Sequence, residues 1–113
     1  MTVAGTAIAH EVGLSANIQV RTSNGETSTH SAENLPDNVQ VTSIEIVAIY
    51  STGEPMSGAQ ISVYSPGDRS TPWRTGTLDA QGRYTFTPDL AQRGRWTVTV
   101  QSSGHSNFID ILI

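Results

Sequence analysis

Short runs of alternating apolar residues, separated by turns rich in glycine and proline and with no helical periodicity anywhere, predict an all-β protein. The expected architecture is a Greek-key sandwich of about seven antiparallel strands in two sheets. Its body is the stretch Ile44 to Val100. There Ile44, Ile46, Ala48 and Tyr50 share one strand face, Ala59, Ile61 and Val63 share the matching face of the next, and Trp96, Val98 and Val100 repeat the pattern.

Taken in chain order, the first strand is the clearest. Val12, Leu14, Ala16, Ile18 and Val20 occupy every second position, with Gly13, Ser15, Asn17 and Gln19 between them, which is a half-buried strand. Ser23-Asn24-Gly25-Glu26 is a two-residue hairpin signal, leading into a short edge strand at Thr27–His30. Asn34-Leu35-Pro36-Asp37-Asn38 reads as a turn. Beyond it the apolar phase slips: Val39 and Val41 are odd, whereas Ile44 and Ile46 are even. A bulge near Thr42-Ser43 absorbs the change.

The turn Ser51–Gly58 leads to the strand Ala59–Tyr64. Ser65–Pro72 carries two prolines and a glycine, so it is a loop rather than a central strand. Asp79-Ala80-Gln81-Gly82 turns between Thr75–Leu78 and Arg83–Phe86. Pro88–Gly94 is a second crossing, and Phe108–Ile113, apolar on both faces, reads as a last strand covered on both sides. Ile46, Ala48, Ile61, Val63, Phe86, Trp96 and Val98 are the predicted core. Val47 and Ile49 fall on the opposite face, which is either covered within the fold or marks a partner surface.

Composition narrows the functional classes. At 113 residues the chain is one domain's length, and it has no cysteine, hence no disulfide or thiolate chemistry. All six basic residues are arginine and ten acidic residues outweigh them, for a net charge of −4, which argues against a nucleic-acid partner. No apolar run approaches the roughly 20 residues of a membrane span. Residues 1–9 lack a basic leading region, but Ala7-Ile8-Ala9 has the small-x-small form cut by signal peptidase. They are expected to be a disordered tail or the remnant of a signal peptide, leaving residues 10–113 as a single sandwich domain in the periplasm or another extracytoplasmic compartment.

Gly53-Glu54-Pro55-Met56-Ser57-Gly58-Ala59, then Ile61-Ser62-Val63-Tyr64 and Thr77 through Phe86, resemble the carboxypeptidase-regulatory-like, transthyretin-like group of Ig-like sandwiches. Within that group the chain is most similar to small exported bacterial domains associated with nickel or cobalt uptake. Those domains pair Gly-Glu-Pro-Met with Pro-Trp, here Pro72-Trp73, carry a histidine after the last core strand, here His105, and begin the mature chain at histidine, here His10. The resemblance spans Ile44 to His105. It implies a non-enzymatic accessory domain that binds a transition metal (Ni, Co, Cu or Zn) beside a membrane transporter or another protein partner. The chain departs from the pattern at Ser106-Asn107, where relatives have Gly-Asp, so a carboxylate that would complete a site is missing.

The histidines are the residues that suggest chemistry. His10, His30 and His105 lie in polar or glycine-containing surroundings, and neutral imidazole is the commonest ligand for such metals. Cleavage after Ala9 would give His10 a free α-amine beside its ring, a ready chelate. A Greek-key sandwich often sets its first strand beside a late one, which brings His10 towards His105; His30 is the third candidate. The spacing itself, with no His-x-His pair, forces no proximity.

Two other classes remain open. One is a structural or adhesive module whose loops contact another protein; Trp73, Tyr64 and Trp96 could offer a stacking surface for sugar, but Trp96 is in phase with the core, and Trp73, following a proline, is the aromatic expected to be exposed. A transthyretin-like 5-hydroxyisourate hydrolase is the enzymatic alternative. That family needs a histidine just before the Gly-x-Pro turn and a C-terminal Tyr-Arg-Gly-Ser, whereas this chain has His10 far upstream and ends Asp110-Ile111-Leu112-Ile113. Ser102, Ser103 and Ser106 surround His105 without a Gly-x-Ser-x-Gly elbow or an acid partner, so no catalytic residues are assigned.

Overall fold

The computed structural model describes residues 12–113. Eight strands run β1 (Val12–Arg21), β2 (Thr27–Ser31), β3 (Gln40–Tyr50), β4 (Gln60–Tyr64), β5 (Arg74–Thr77), β6 (Arg83–Phe86), β7 (Arg95–Ser102) and β8 (His105–Leu112). They form two four-stranded antiparallel sheets, β2-β1-β3-β6 and β5-β4-β7-β8, which pack as the expected sandwich. The chain changes sheet after β3, after β5 and after β6. The only helical turn among the described residues is Ala32–Asn34, and no helix there is long and apolar enough to cross a membrane.

The inner faces follow the period-2 pattern. Ile18, Val20, Ile44, Ile46, Ile61, Val63, Trp96, Val98, Val100 and Ile111 are fully buried, and Phe86 and Ala48 join the same cluster. Each large side chain removed from water in this way contributes about 1.5–3 kcal/mol before entropy is counted. The phase slip between Val41 and Ile44 is resolved by a bulge. Gln19 pairs with Ser43 and Val20 with Val41, so Thr42 is the extra residue. Its hydroxyl donates to the Gln19 carbonyl (3.1 Å), and its own carbonyl accepts from the Thr87 hydroxyl (3.2 Å). Val41 and Ile44 are both buried because the backbone uses one residue to change register.

Several expectations need correction. The β1–β2 hairpin closes with Thr22 N–H donating to Glu26 O (2.8 Å) and Gly25 at φ +87°, a three-residue loop rather than a two-residue turn. The last strand starts at His105, three residues earlier than its apolar run suggests. A tight turn with Ser103 (φ +49°) and Gly104 (φ +81°) both in the left-handed region joins it to β7. Nor is that strand covered on both sides. It is an edge strand; Ile111 is buried and Ile109 partly so, whereas Phe108 (61% exposed) and Leu112 (65%) stand on the outer face. Val47 is buried on the outer face of its sheet, while Ile49 is 39% exposed.

Trp73 is not the exposed stacking platform that its loop position suggests. It is partly buried, meets Trp96 edge-on (centroids 5.0 Å apart, 88°) and carries the Arg74 guanidinium 4.6 Å from its ring. The loop before it is organised by Asp68, whose Oδ1 accepts from Ser70 N–H (3.0 Å), Ser70 hydroxyl (2.9 Å) and Thr71 N–H (3.1 Å). The Ser70 and Thr71 bonds hold the carboxyl below the ordinary value of 3.8. A lowered folded value means that the stabilisation is present above the unfolded value and lost as pH falls through the folded one. Asp68→Ala should therefore speed amide exchange at Ser70 and Thr71 at neutral pH. The difference from the parent protein should shrink on acidification below 3.8. A difference that persisted at low pH would mean that the charge is not what orders the loop.

Candidate functional site at the His105 end

The turn between β7 and β8 shapes one end of the sandwich. Its positive-φ pair folds the chain back within two residues, so Ser102 and His105 face each other as the last pair of the β7–β8 ladder. With Gly58 from the β3–β4 connection and Gln60 and Gln101 from the adjacent strands, the turn lines a polar cleft of about 450 Å3. Gln101 Nε2 donates to Gln60 Oε1 at 3.4 Å across its floor. Ser102, Ser103 and Ser106 line the cleft with His105.

His105 is half-buried, and its ring meets Tyr50 edge-on, with centroids 5.8 Å apart at 79°. Tyr50 ends β3 and is the register partner of Val12. Asn107, two residues after His105, donates from Nδ2 to the Val12 carbonyl at 2.8 Å, while its Oδ1 accepts from Phe108 N–H at 2.9 Å. This uses the side chain at the position where the resemblance implies an aspartate. A carboxylate there could not donate to Val12. The Val12 and His105 ends of β1 and β8 thus lie together, although the strands belong to different sheets.

Of the three candidate histidines, His30 and His105 fall among the described residues, and they lie apart. His30 sits on β2 opposite Ile18, with Nε2 2.8 Å from Ser28 Oγ. Ile18 is six residues along β1 from Val12, roughly 20 Å at the rise of an extended strand. His30 is thereby separated from His105. His10 lies outside the described residues. Among those described, no group of three or more His, Cys, Asp or Glu side chains is placed to hold a metal ion. Tyr50 and the Gln60–Gln101 pair escaped the sequence reading. Tyr50 is simply the last in-phase residue of an apolar strand, and the glutamines alternate with core residues on strands whose pairing the sequence does not state.

Fold and site together define an antiparallel β-sandwich with a polar end cleft bordered by His105. Compared with protein-family models, curated protein sequences and solved structures, the chain matches none.

Proposed function

We propose that the protein is a non-enzymatic accessory binding module of an exported system. In this reading the His105 end holds a transition metal together with His10, in a nickel or cobalt uptake context. The observation that carries it is the Asn107–Val12 hydrogen bond, which sets the start of the described chain beside the start of β8. His10 precedes Val12 by two residues, a tether of at most about 7 Å. The donors are nitrogen and oxygen, with no thiolate in the chain, which suits Ni(II), Co(II), Cu(II) or Zn(II). His10 would supply its imidazole and, in a chain that begins there, its α-amine; His105 would supply the second imidazole. Tyr50 holds the His105 ring from one side.

Calorimetric titration of each metal against protein beginning at His10, and against protein extended by Ala9, tests the reading. The chain beginning at His10 should bind more tightly, and His105→Ala should weaken that binding by about tenfold or more. His30→Ala should leave it unchanged, and acidification should weaken it because protonated imidazole does not ligate. Equal, weak binding by both forms, or indifference to His105→Ala, would refute the site.

A second reading, a protein-contact module, is favoured by Phe108 and Leu112 on the outer face of edge strand β8. It is compatible with the first, because a transporter or other protein partner would dock there without covering the cleft. Phe108→Ser with Leu112→Ser should abolish such docking and leave metal affinity intact.

A further inference from the structure

The arginines are not evenly employed. Arg83 pairs with Glu45 (3.1 Å), Arg69 donates to Thr97 (3.0 Å) and Arg74 lies over Trp73. Among the described residues, Arg21, Arg93 and Arg95 have no such partner. Arg95 stands on the outer face opposite Leu112. Arg21 and Arg93 come together, one from the end of β1 and the other from the β6–β7 connection. They line one cleft of about 370 Å3 at the opposite end of the sandwich from His105. Thr22, Ser23, Asn38 and Gln40 complete its polar wall, and no acidic residue among those described lines it. Asn38 is held at φ +59°, the left-handed region that asparagine tolerates in turns.

Two guanidiniums in one cleft with no ion-pair partner among the described residues are unexpected in a chain with ten acidic residues and a net charge of −4. Glu33 and Asp37 border the neighbouring groove that Arg93 also touches, yet neither forms an ion pair with it. The cations repel each other, and the hydroxyl and amide side chains around them can donate hydrogen bonds. A guanidinium fork matches the paired oxygens of a phosphoryl or carboxylate group. We propose that the Arg21–Arg93 cleft binds an oxyanionic group, a phosphate or carboxylate, of a small ligand. The site is independent of the His105 end.

The test uses the whole chain at low ionic strength, with inorganic phosphate and citrate as separate probes and glycerol as the neutral control, followed by amide NMR shifts. Saturable shifts confined to Thr22, Ser23, Asn38 and Gln40 are expected from at least one anion, with a dissociation constant near or below about 1 mM. A response to phosphate alone would identify a phosphoryl ligand, and one to citrate alone a polycarboxylate. Arg21→Gln and Arg93→Gln should each weaken binding by about tenfold, whereas Arg95→Gln should change it less than about twofold. Melting curves and unchanged shifts elsewhere would confirm that the variants fold. Absence of saturable shifts with either anion up to about 10 mM, or equal losses in all three variants, would overturn the proposal, the latter by showing only diffuse charge.

Discussion

Trp96→Ala is expected to destabilise the protein by about 3–5 kcal/mol, the usual cost of deleting a large buried aromatic. Trp96 is fully buried and packs against two aromatic side chains, Trp73 edge-on at 5.0 Å and Phe86 at 6.5 Å. Its indole N–H is satisfied by the Gln92 carbonyl at 3.0 Å, which ties the β6–β7 crossing to the core. Removing the ring therefore leaves a cavity, an orphaned carbonyl and a Trp73 that has lost its support. For a domain of this size the melting temperature should fall by more than about 12 °C. Trp96→Phe keeps most of the volume and loses the Gln92 bond, so it should cost distinctly less. If the alanine variant melted within a degree or two of the parent, the core assignment would be wrong.

Gly82→Ala is expected to be nearly as damaging, for a different reason. Gly82 sits at φ +74° in the Asp79–Arg83 turn, where its carbonyl accepts from Ala48 N–H at 2.9 Å. A Cβ there would stand 2.5 Å from the Ala48 carbonyl oxygen and 3.0 Å from the Met56 nitrogen, both backbone atoms that are themselves hydrogen-bonded to each other. Neither can move without breaking the junction of β3, β6 and the segment after Pro55. Gly25 is the comparison: φ is +87°, but nothing lies within 4 Å of its Cβ position. Gly25→Ala should cost only the conformational term, about 1–2 kcal/mol. Gly82→Ala should add the steric term, for roughly 2–5 kcal/mol in total. Equal losses in chemical denaturation would show that the junction yields.

These two positions also show what was legible in advance. Trp96 could be placed in the core because it is in phase with Val98 and Val100, and that periodicity survives folding unchanged. The bulge at Thr42 was visible as a phase slip for the same reason. Gly82 could be read as a turn residue, but not as the place where three segments meet, because that depends on which strand pairs with which. Phe108 and Leu112 misled because apolar residues on both faces look alike whether a strand is central or at an edge; sheet order decides exposure. Trp73 misled in the opposite sense. A proline-flanked aromatic in a loop looks exposed until Trp96 is seen beneath it. At the candidate site, the histidine could be picked out by residue type. The contact with Tyr50 and the Asn107–Val12 bond could not, since each joins strands whose neighbours are set by sheet packing rather than by local sequence.

In the proposed function the His105 end of the sandwich binds the metal and His30 takes no part. Cu(II) is paramagnetic and broadens nearby resonances, so substoichiometric addition to protein beginning at His10 reads the location directly. The expected result is early loss of the signals of His105, Tyr50, Asn107 and Val12, with those of His30 and Ser28 retained. The separation of roughly 20 Å along β1 makes the two outcomes distinct. Broadening centred on His30, or spread evenly over the surface, would contradict a metal site at His105.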